Sequence, residues 1–225
     1  MIYNPLALMI VGFFFIVLIV FFVLVQINVI ALAFVEIGIP SQYIFMILMA
    51  ILLGSFINIP VKRIPQSNVD RRTTAHYFGI SYSIPIWRNR YTLLAVNLGG
   101  AVIPMIICLY LFFKTALWME FTVSTALMTG LCYRLSRPVP GLGIALPPLV
   151  PPIAAAVIAL VVAYPHAPVV AYFSGTVGTL LGADIFKLKK ITELGAPVAS
   201  IGGAGTFDGI FLTGILSVLL SALLT

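Results

Sequence analysis

The sequence has very little charge. Only 8% of its 225 residues are charged and 62% are hydrophobic, and its mean hydropathy is +1.18. A soluble domain carries roughly 25% charged residues, so this composition excludes an ordinary soluble globule. The first 35 residues contain no Asp, Glu, Lys or Arg, and no cationic segment precedes the apolar stretch, so we expect a retained helix there and not a cleaved signal peptide. The composition predicts a polytopic protein whose solvent is the membrane.

Cysteine and histidine are also scarce. The two cysteines, Cys108 and Cys132, fall on separate apolar runs toward different depths, so they indicate neither a disulfide nor a metal site. His76 and His166 fall in segments predicted on opposite sides of the membrane, which argues against a shared metal ion. We therefore predict no metal and no cofactor.

Apolar runs of about 20 residues, the helix length that crosses about 30 Å of hydrocarbon, predict the fold. Seven such runs lie at 6–28, 41–60, 91–113, 116–134, 147–164, 167–186 and 206–225. The proline-rich turn signal at 164–168 separates the fifth run from the sixth. The sequence thus predicts an all-α protein, one transmembrane domain over residues 1–225 with about seven transmembrane helices.

Lysine and arginine favour cytoplasmic loops, and their positions predict the orientation. With the N-terminus in the cytoplasm and the C-terminus outside, Lys114 is the single one of the 12 basic residues that falls outside. The net charge of +6 is then explained by topology and by contact with anionic membrane lipid. It gives no reason to predict binding of nucleic acid.

Two cytoplasmic segments stand out in this topology. The basic loop 61–90 contains AHYFGISYSIPIW, which suggests a short strand or hairpin. This segment is either an interfacial loop whose arginines meet lipid phosphates, or an edge strand that receives an extended peptide. The proline-rich loop 138–152 holds six of the 15 prolines and cannot be a regular helix. It either borders a crevice or is a stiff connector.

Two aspartates are the strongest functional signal. Asp184 ends the sixth apolar run and Asp208 begins the seventh. An ionisable residue on a membrane helix costs a few kcal/mol, so it marks a candidate functional site. The connection between the two runs is cytoplasmic, which puts both carboxylates at a similar depth. Two facing carboxylates share one proton and leave an acid and a base around a water, the chemistry of an aspartic protease.

Glycines flank both aspartates. Ser174, Gly178 and Gly182 recur every four residues, and Gly205 and Gly209 repeat this spacing around Asp208. Small residues at this spacing let helices approach at backbone distance. We expect the sixth and seventh spans to pack closely and to bring the two aspartates together.

Other interpretations of these residues stay open. The same pair can bind a cation or relay protons in a transporter. Asp184 can instead pair with Lys187 at the interface, and Asp208 can stabilise the first turn of its helix. Asn58, at the end of the second apolar run, either donates a hydrogen bond to a nearby carbonyl that links helices, or hydrogen-bonds one aspartate of the pair or a substrate. A non-catalytic assembly subunit, with glycine faces that serve helix packing, is a third possibility.

Motifs along the chain resemble two known groups of proteins. SFINIP at 55–60, the proline-rich stretch, LGAD at 181–184 and GGAGTFDG at 202–209 resemble a prokaryotic family of small multi-spanning proteins catalogued only as a domain of unknown function. This resemblance implies a compact helical domain in the plasma membrane of a prokaryote and supplies no activity.

The last 60 or so residues resemble the presenilin and signal-peptide-peptidase class of intramembrane aspartyl proteases. In that class one catalytic Asp lies in the sixth span, and the other begins the seventh within a Gly-x-Gly-Asp motif. The resemblance implies Asp184 and Asp208 as the catalytic pair. The chain departs from the class in four ways: two residues separate Gly203-Ala204-Gly205 from Asp208, Ala183 precedes Asp184 where a tyrosine is typical, and seven spans are predicted where the class has nine. In addition, Ala145-Leu146-Pro147 is a reversed, upstream form of its Pro-Ala-Leu segment.

The favoured function is therefore an intramembrane aspartyl endopeptidase that hydrolyses peptide bonds of transmembrane substrates. Its expected partners are membrane lipid and a transmembrane peptide, and no oligomeric state is predicted. Residues expected to support substrate binding or catalysis are Asn58, Ala145, Leu146, Pro147, Gly182, Gly203, Gly205 and Gly209. The alternative is a small cation- or proton-coupled transporter or channel that uses the same carboxylates.

Overall fold

The described chain is mainly helical. The computed structural model describes residues 5–65, 74–77, 80–83, 91–139, 143–193, 198–203 and 209–225. Seven α-helices occur there: α1 (Pro5–Glu36), α2 (Ser41–Gly54), α3 (Ile103–Thr115), α4 (Trp118–Leu135), α5 (Val150–Val162), α6 (Ala167–Thr179) and α7 (Gly209–Ala222). Two π-helical turns extend the helices, Leu98–Val102 before α3 and Leu180–Asp184 after α6, and two 3₁₀ helices are Tyr164–His166 and Ile185–Glu193.

Short strands lie between the helices. They are β1 (Asn58–Pro65), β2 (Thr74–Tyr77), β3 (Ile80–Ser83), β4 (Tyr91–Asn97), β5 (Arg137–Val139), β6 (Gly143–Ala145) and β7 (Val198–Ile201). β1, β4 and β7 form a three-stranded sheet in that order, with β1 antiparallel and β7 parallel to β4. β2 pairs with β3, in the predicted basic loop, and β5 pairs with β6 in the first half of the predicted proline-rich loop; both pairs are antiparallel.

The all-α prediction did not include this sheet. The predicted second span, 41–60, continues as a helix only to Gly54, and the residues from Asn58 onward are strand. The predicted third span, 91–113, begins with β4 and becomes helical after Asn97. The reason is that an apolar run rich in Ile, Val, Leu and Tyr fits a buried strand as well as a helix, and hydropathy alone does not separate them.

Three helical segments are long and apolar enough to cross a membrane: Phe15–Glu36, Leu98–Thr115 and Tyr164–Leu188. α2, α5 and α7 are apolar but shorter. Large apolar side chains face outward, such as Phe113, Met119 and Val161, which are 77%, 78% and 81% exposed. Such a surface is expected for helices surrounded by lipid and is unusual for a protein in water.

Contacts between the turns define the two ends of the helical bundle. At one end, Lys114 Nζ donates to the Gly38 carbonyl between α1 and α2, and Tyr164 Oη donates to the Leu224 carbonyl at 3.4 Å. At the other end lie the three-stranded sheet, the β5–β6 hairpin and the 3₁₀ helix after α6. We call this second end the sheet end.

Helix α6 is central and packs at backbone distance on both sides. A Cβ added at Gly178 would lie 2.5 Å from Met128 Cβ, and one at Gly182 would lie 2.4 Å from the Thr129 carbonyl oxygen, so these glycines face α4. Toward α7, a Cβ at Gly214 would lie 2.8 Å from Thr176 Oγ1. The close approach expected of the glycine-lined sixth span is thus directed at α4 as well as α7.

This packing predicts opposite effects for two glycine substitutions. Gly182→Ala should destabilise the fold, because the overpacking of its methyl group against α4 costs roughly 1–3 kcal/mol. Gly130→Ala is the matched control on α4: nothing lies within 4 Å of its added Cβ, so the variant should gain the helix propensity of alanine, worth about 1 kcal/mol. Thermal unfolding in detergent measures both variants. Equal unfolding midpoints would contradict the packing.

Candidate functional site

Asp184 lies at the sheet end of the protein, where α6 stops being a regular helix. It is the last residue of the π-helical turn Leu180–Asp184 and is partly buried. Its Oδ2 accepts a hydrogen bond of 2.9 Å from the Gly202 backbone amide. π-helical turns inside helices are frequent at functional sites, because the wider turn redirects a side chain. Here it brings the carboxylate to the turn that follows β7.

Gly202 can hold that position only because it is glycine. Its φ is +75°, a conformation that residues with a Cβ rarely adopt. A Cβ there would lie 2.4 Å from Ala101 Cβ, so the turn is pressed against the start of α3. The Gly202 amide therefore lies between Asp184 and the π-helical turn Leu98–Val102.

Asn97 is the best-satisfied polar side chain of the site. It ends β4 and is only 2% exposed. Its Nδ2 donates to the Ser55 carbonyl at 2.7 Å and to Asn58 Oδ1 at 3.1 Å, and its Oδ1 accepts from the Gly100 amide at 2.7 Å. One side chain thus connects the end of α2, the start of β1 and the turn that begins α3.

Asn58 and Ser200 complete this network. Ser200 Oγ on β7 donates to Asn58 Oδ1 on β1 at 2.6 Å, although 142 residues separate them. Gly203 lies beside Asn97, since an added Cβ would lie 3.0 Å from Asn97 Cγ. We call Asn58, Asn97, Asp184, Ser200 and Gly202 the polar cluster.

The other predicted site residues have different places. Asp208 and Gly205 lie outside the described residues. Gly209 is the first residue of α7 and is exposed, with nothing within 4 Å of an added Cβ. Gly182 packs against α4, two residues before Asp184.

The Ala145-Leu146-Pro147 segment lies near the sheet end. Ala145 ends β6, and its neighbour Ile144 packs in the same apolar cluster as Leu180 and Ile201. Leu146 packs against a different cluster, that of Met128, Cys132 and Ala155. The predicted supporting segment therefore borders the elements that carry the polar cluster.

The cation nearest in sequence to Asp184 has partners on another helix. Lys187 Nζ donates to the Ser136 carbonyl and lies 4.9 Å from the centre of the Tyr133 ring. Lys187 is only 5% exposed, so its ammonium group is held against the sheet end of α4. Lys187 therefore places a cation at the sheet end of α4.

The chemistry of the cluster follows from its donors and acceptors. It holds one carboxylate, two amides, a hydroxyl and backbone amide groups. In the described part of the chain no three His, Cys, Asp or Glu side chains are grouped as metal ligands. Acid–base chemistry by a carboxylate pair needs a second acid, and Asp208, the partner expected from the sequence, lies outside the described residues.

Sequence reasoning identified Asp184 and Asn58 but did not select Asn97, Ser200 or Gly202. A repeated pattern marks these residues: Asn97-Leu98-Gly99-Gly100 and Ser200-Ile201-Gly202-Gly203 each place a polar residue, an apolar residue and two glycines at the end of a strand. Both segments precede a helix. The pattern is readable in the sequence once the strands are known.

Asn97→Ala should destabilise the protein by roughly 1–3 kcal/mol, because it leaves a buried carbonyl and a buried amide without their partner. Asn28→Ala is the matched control: Asn28 is exposed on α1 and donates a hydrogen bond to the Leu24 carbonyl of its own helix. The thermal unfolding midpoint of each purified variant in detergent gives the comparison. A midpoint for Asn97→Ala as high as that of Asn28→Ala would contradict the proposed role of the Asn97 network.

Comparison with known proteins identifies a family whose function is unknown. The family model described as "Protein of unknown function (DUF1614)" matches residues 52–220. No curated protein matches the chain, and no solved structure matches it. The matched range contains the whole polar cluster. The resemblance to presenilin stays a prediction.

Proposed function

The chain belongs to the DUF1614 family, whose function is unknown, and we propose that it is an intramembrane aspartyl protease that uses Asp184 and Asp208. One observation carries the proposal: the Asp184 carboxylate binds the Gly202 amide, in the turn that leads to Asp208. Six residue steps separate Gly202 from Asp208, a reach of at most about 22 Å. The next residue, Gly209, begins α7, and α7 packs against α6. These constraints favour two carboxylates at one end of one helix pair.

The proposed chemistry needs no cofactor. With one proton shared between the two carboxylates, the charged carboxylate removes a proton from a water, and the protonated one donates to the developing oxyanion or the leaving amine. The proton belongs to the pair, so neither aspartate has a fixed role. The hydrogen bond from the Gly202 amide orients one oxygen, Oδ2, of Asp184.

The sheet supports recognition of an extended peptide. β7 ends beside Asp184 and pairs with β4 along one edge, and no strand of the described chain pairs along its other edge. An exposed strand edge binds a peptide through main-chain hydrogen bonds and so accepts varied sequences. A substrate helix that unwinds next to β7 would present its peptide bonds at the depth of Asp184.

The membrane topology is part of the proposal. Seven helices, the three apolar segments together with α2, α4, α5 and α7, would cross or enter the plasma membrane of a prokaryote, with the N-terminus and the sheet end in the cytoplasm and the C-terminus outside. Lys114, the basic residue predicted outside, contacts the turn between α1 and α2, at the end opposite to the sheet. This contact supports the charge-based orientation.

We expect Asp184→Asn and Asp208→Asn each to lower peptide cleavage by 100-fold or more, on the order of the contribution of one acid–base group. The test uses purified protein in liposomes with single-span peptides labelled at both ends, and mass spectrometry identifies the products. Glu120→Gln is the matched control, because Glu120 begins α4 at the opposite end and should not affect cleavage. Cleavage that persists in either Asp→Asn variant would refute the dyad.

A transporter is the second candidate, and buried hydroxyls favour it. Ser124 on α4 and Ser174 on α6 are fully buried, and neither hydroxyl has a hydrogen-bond partner among the described residues. Polar groups at this depth are satisfied by water or lie along an ion path. The π-helical end of α6 also resembles the broken helices of transporters.

Proton or sodium flux in the same liposomes separates the two candidates. The protease proposal predicts cleavage without flux and no change of flux in Asp184→Asn. Flux that Asp184→Asn abolishes, in preparations that cleave no peptide, would replace the protease proposal with transport. Glu120→Gln is the control variant for both the flux and the cleavage measurements.

A further inference from the structure

A groove runs along α4, and none of its lining residues belongs to the polar cluster. It has a volume of about 680 Å³ and lies between α4 and parts of α3 and α6. Its far end is walled by Phe112, Phe121 and Phe173, and the rings of Phe121 and Phe173 are stacked with centroids 4.1 Å apart. Its other end reaches Tyr133 and Phe186, at the sheet end.

The length of the groove matches one leaflet of a bilayer. Phe121 and Tyr133 are twelve residues apart on α4, which is a rise of about 18 Å. Half of a hydrocarbon core of about 30 Å is about 15 Å. The groove therefore runs from the interface at the sheet end to about the level of the membrane centre.

The floor of the groove is built from small residues at four-residue spacing. Thr122, Ala126 and Gly130 line it, and residues four apart lie on one face of a helix. Gly130 has open space around it, since nothing lies within 4 Å of an added Cβ. Arg134 is the next residue in this series, and it is exposed just beyond the groove. One face of α4 thus changes from an apolar floor to a cation.

Two hydroxyls interrupt the apolar lining between Phe121 and Tyr133. Thr125 Oγ1 and Thr129 Oγ1 are buried and have no hydrogen-bond partner in the described part of the chain. Thr129 is 9% exposed, so its side chain is more than nine-tenths buried. Thr129 lies one helical turn, about 5–6 Å, deeper than Tyr133. This depth is where the ester carbonyls of a phospholipid follow a phosphate held at the interface.

The rim at the sheet end is basic. Arg134, Arg137 and Lys190 are exposed there, and Lys187 lies beneath them over the Tyr133 ring. Basic pockets between membrane helices on the cytoplasmic side attract anionic headgroups, at about 1 kcal/mol per Lys or Arg near the surface. An apolar helix of another protein would match the small-residue floor, but it would make no favourable charge interaction with this basic rim.

From these features we infer that the α4 groove binds one anionic phospholipid. One acyl chain fills the groove as far as the phenylalanine wall, the ester carbonyls lie at the depth of Thr129, and the phosphate lies among Arg134, Arg137 and Lys190. The inference does not depend on the protease proposal, because no residue of the polar cluster takes part. A free phosphate is not the expected ligand, because it cannot fill the apolar groove that supplies part of the binding free energy.

Native mass spectrometry of the detergent-solubilised protein tests the inference with two probes, dioleoylphosphatidylglycerol and dioleoylphosphatidylcholine. We expect phosphatidylglycerol to bind at least about tenfold more tightly, a difference of about 1.4 kcal/mol. Gly130→Phe fills the groove and should weaken its binding by a similar factor. Leu127→Phe is the matched control, because Leu127 is exposed on another face of α4. Arg134→Gln should reduce the preference for phosphatidylglycerol while phosphatidylcholine binding stays unchanged.

Several outcomes would overturn the inference. Equal binding of the two lipids, or unchanged binding by Gly130→Phe with an unfolding midpoint like that of Leu127→Phe, would do so. Glycerol 1-phosphate that competes as well as the intact lipid would reduce the site to an anion site. A disulfide-linked dimer formed by Gly130→Cys in membranes would show that the groove holds a second copy of the chain and not a lipid.

Discussion

The hydrogen bond between the Asp184 carboxylate and the Gly202 amide is the interaction on which the proposed site depends. It joins the end of α6 to the turn that leads into α7. The contact is possible because α6 ends in a π-helical turn and because Gly202 adopts a positive φ. Burying a carboxylate in an apolar protein costs desolvation free energy. A hydrogen bond from a backbone amide offsets part of that cost and fixes the orientation of the group.

The sheet holds this arrangement in place from the other side. Asn97 and Asn58 link α2, β1 and β4, and Ser200 attaches β7 to the same network. A single strand as short as β7 would not be stable alone, so its pairing with β4 and the Ser200 contact determine where Gly202 lies. The polar cluster is thus a junction between a helical bundle and a small sheet. No residue of the polar cluster lines the lipid groove, so lipid binding and the proposed catalysis can be measured separately.

The features that local sequence determines were predictable. The lone charge of Asp184 in an apolar run marked it as a candidate, and small residues in the sixth span predicted close helix packing that Gly178 and Gly182 show. The three-stranded sheet was not predictable in this way, because β7 is four residues long and its contact with β1 joins Ser200 to Asn58 across 142 residues. No local pattern reports such a pairing.

The role of Asn97 was missed for the same reason: its partners lie on segments that only the folded chain brings together. The central claim is that Asp184 and Asp208 face each other. An Asp184→Cys/Asp208→Cys double variant, made with Cys108→Ala and Cys132→Ala, measures this directly through disulfide formation in membranes, which requires Cα atoms within about 7 Å. An Ala95→Cys/Ser200→Cys pair on adjacent strands is the positive control. The account predicts rapid cross-linking at 184 and 208; a pair that stays reduced while the control cross-links would contradict it.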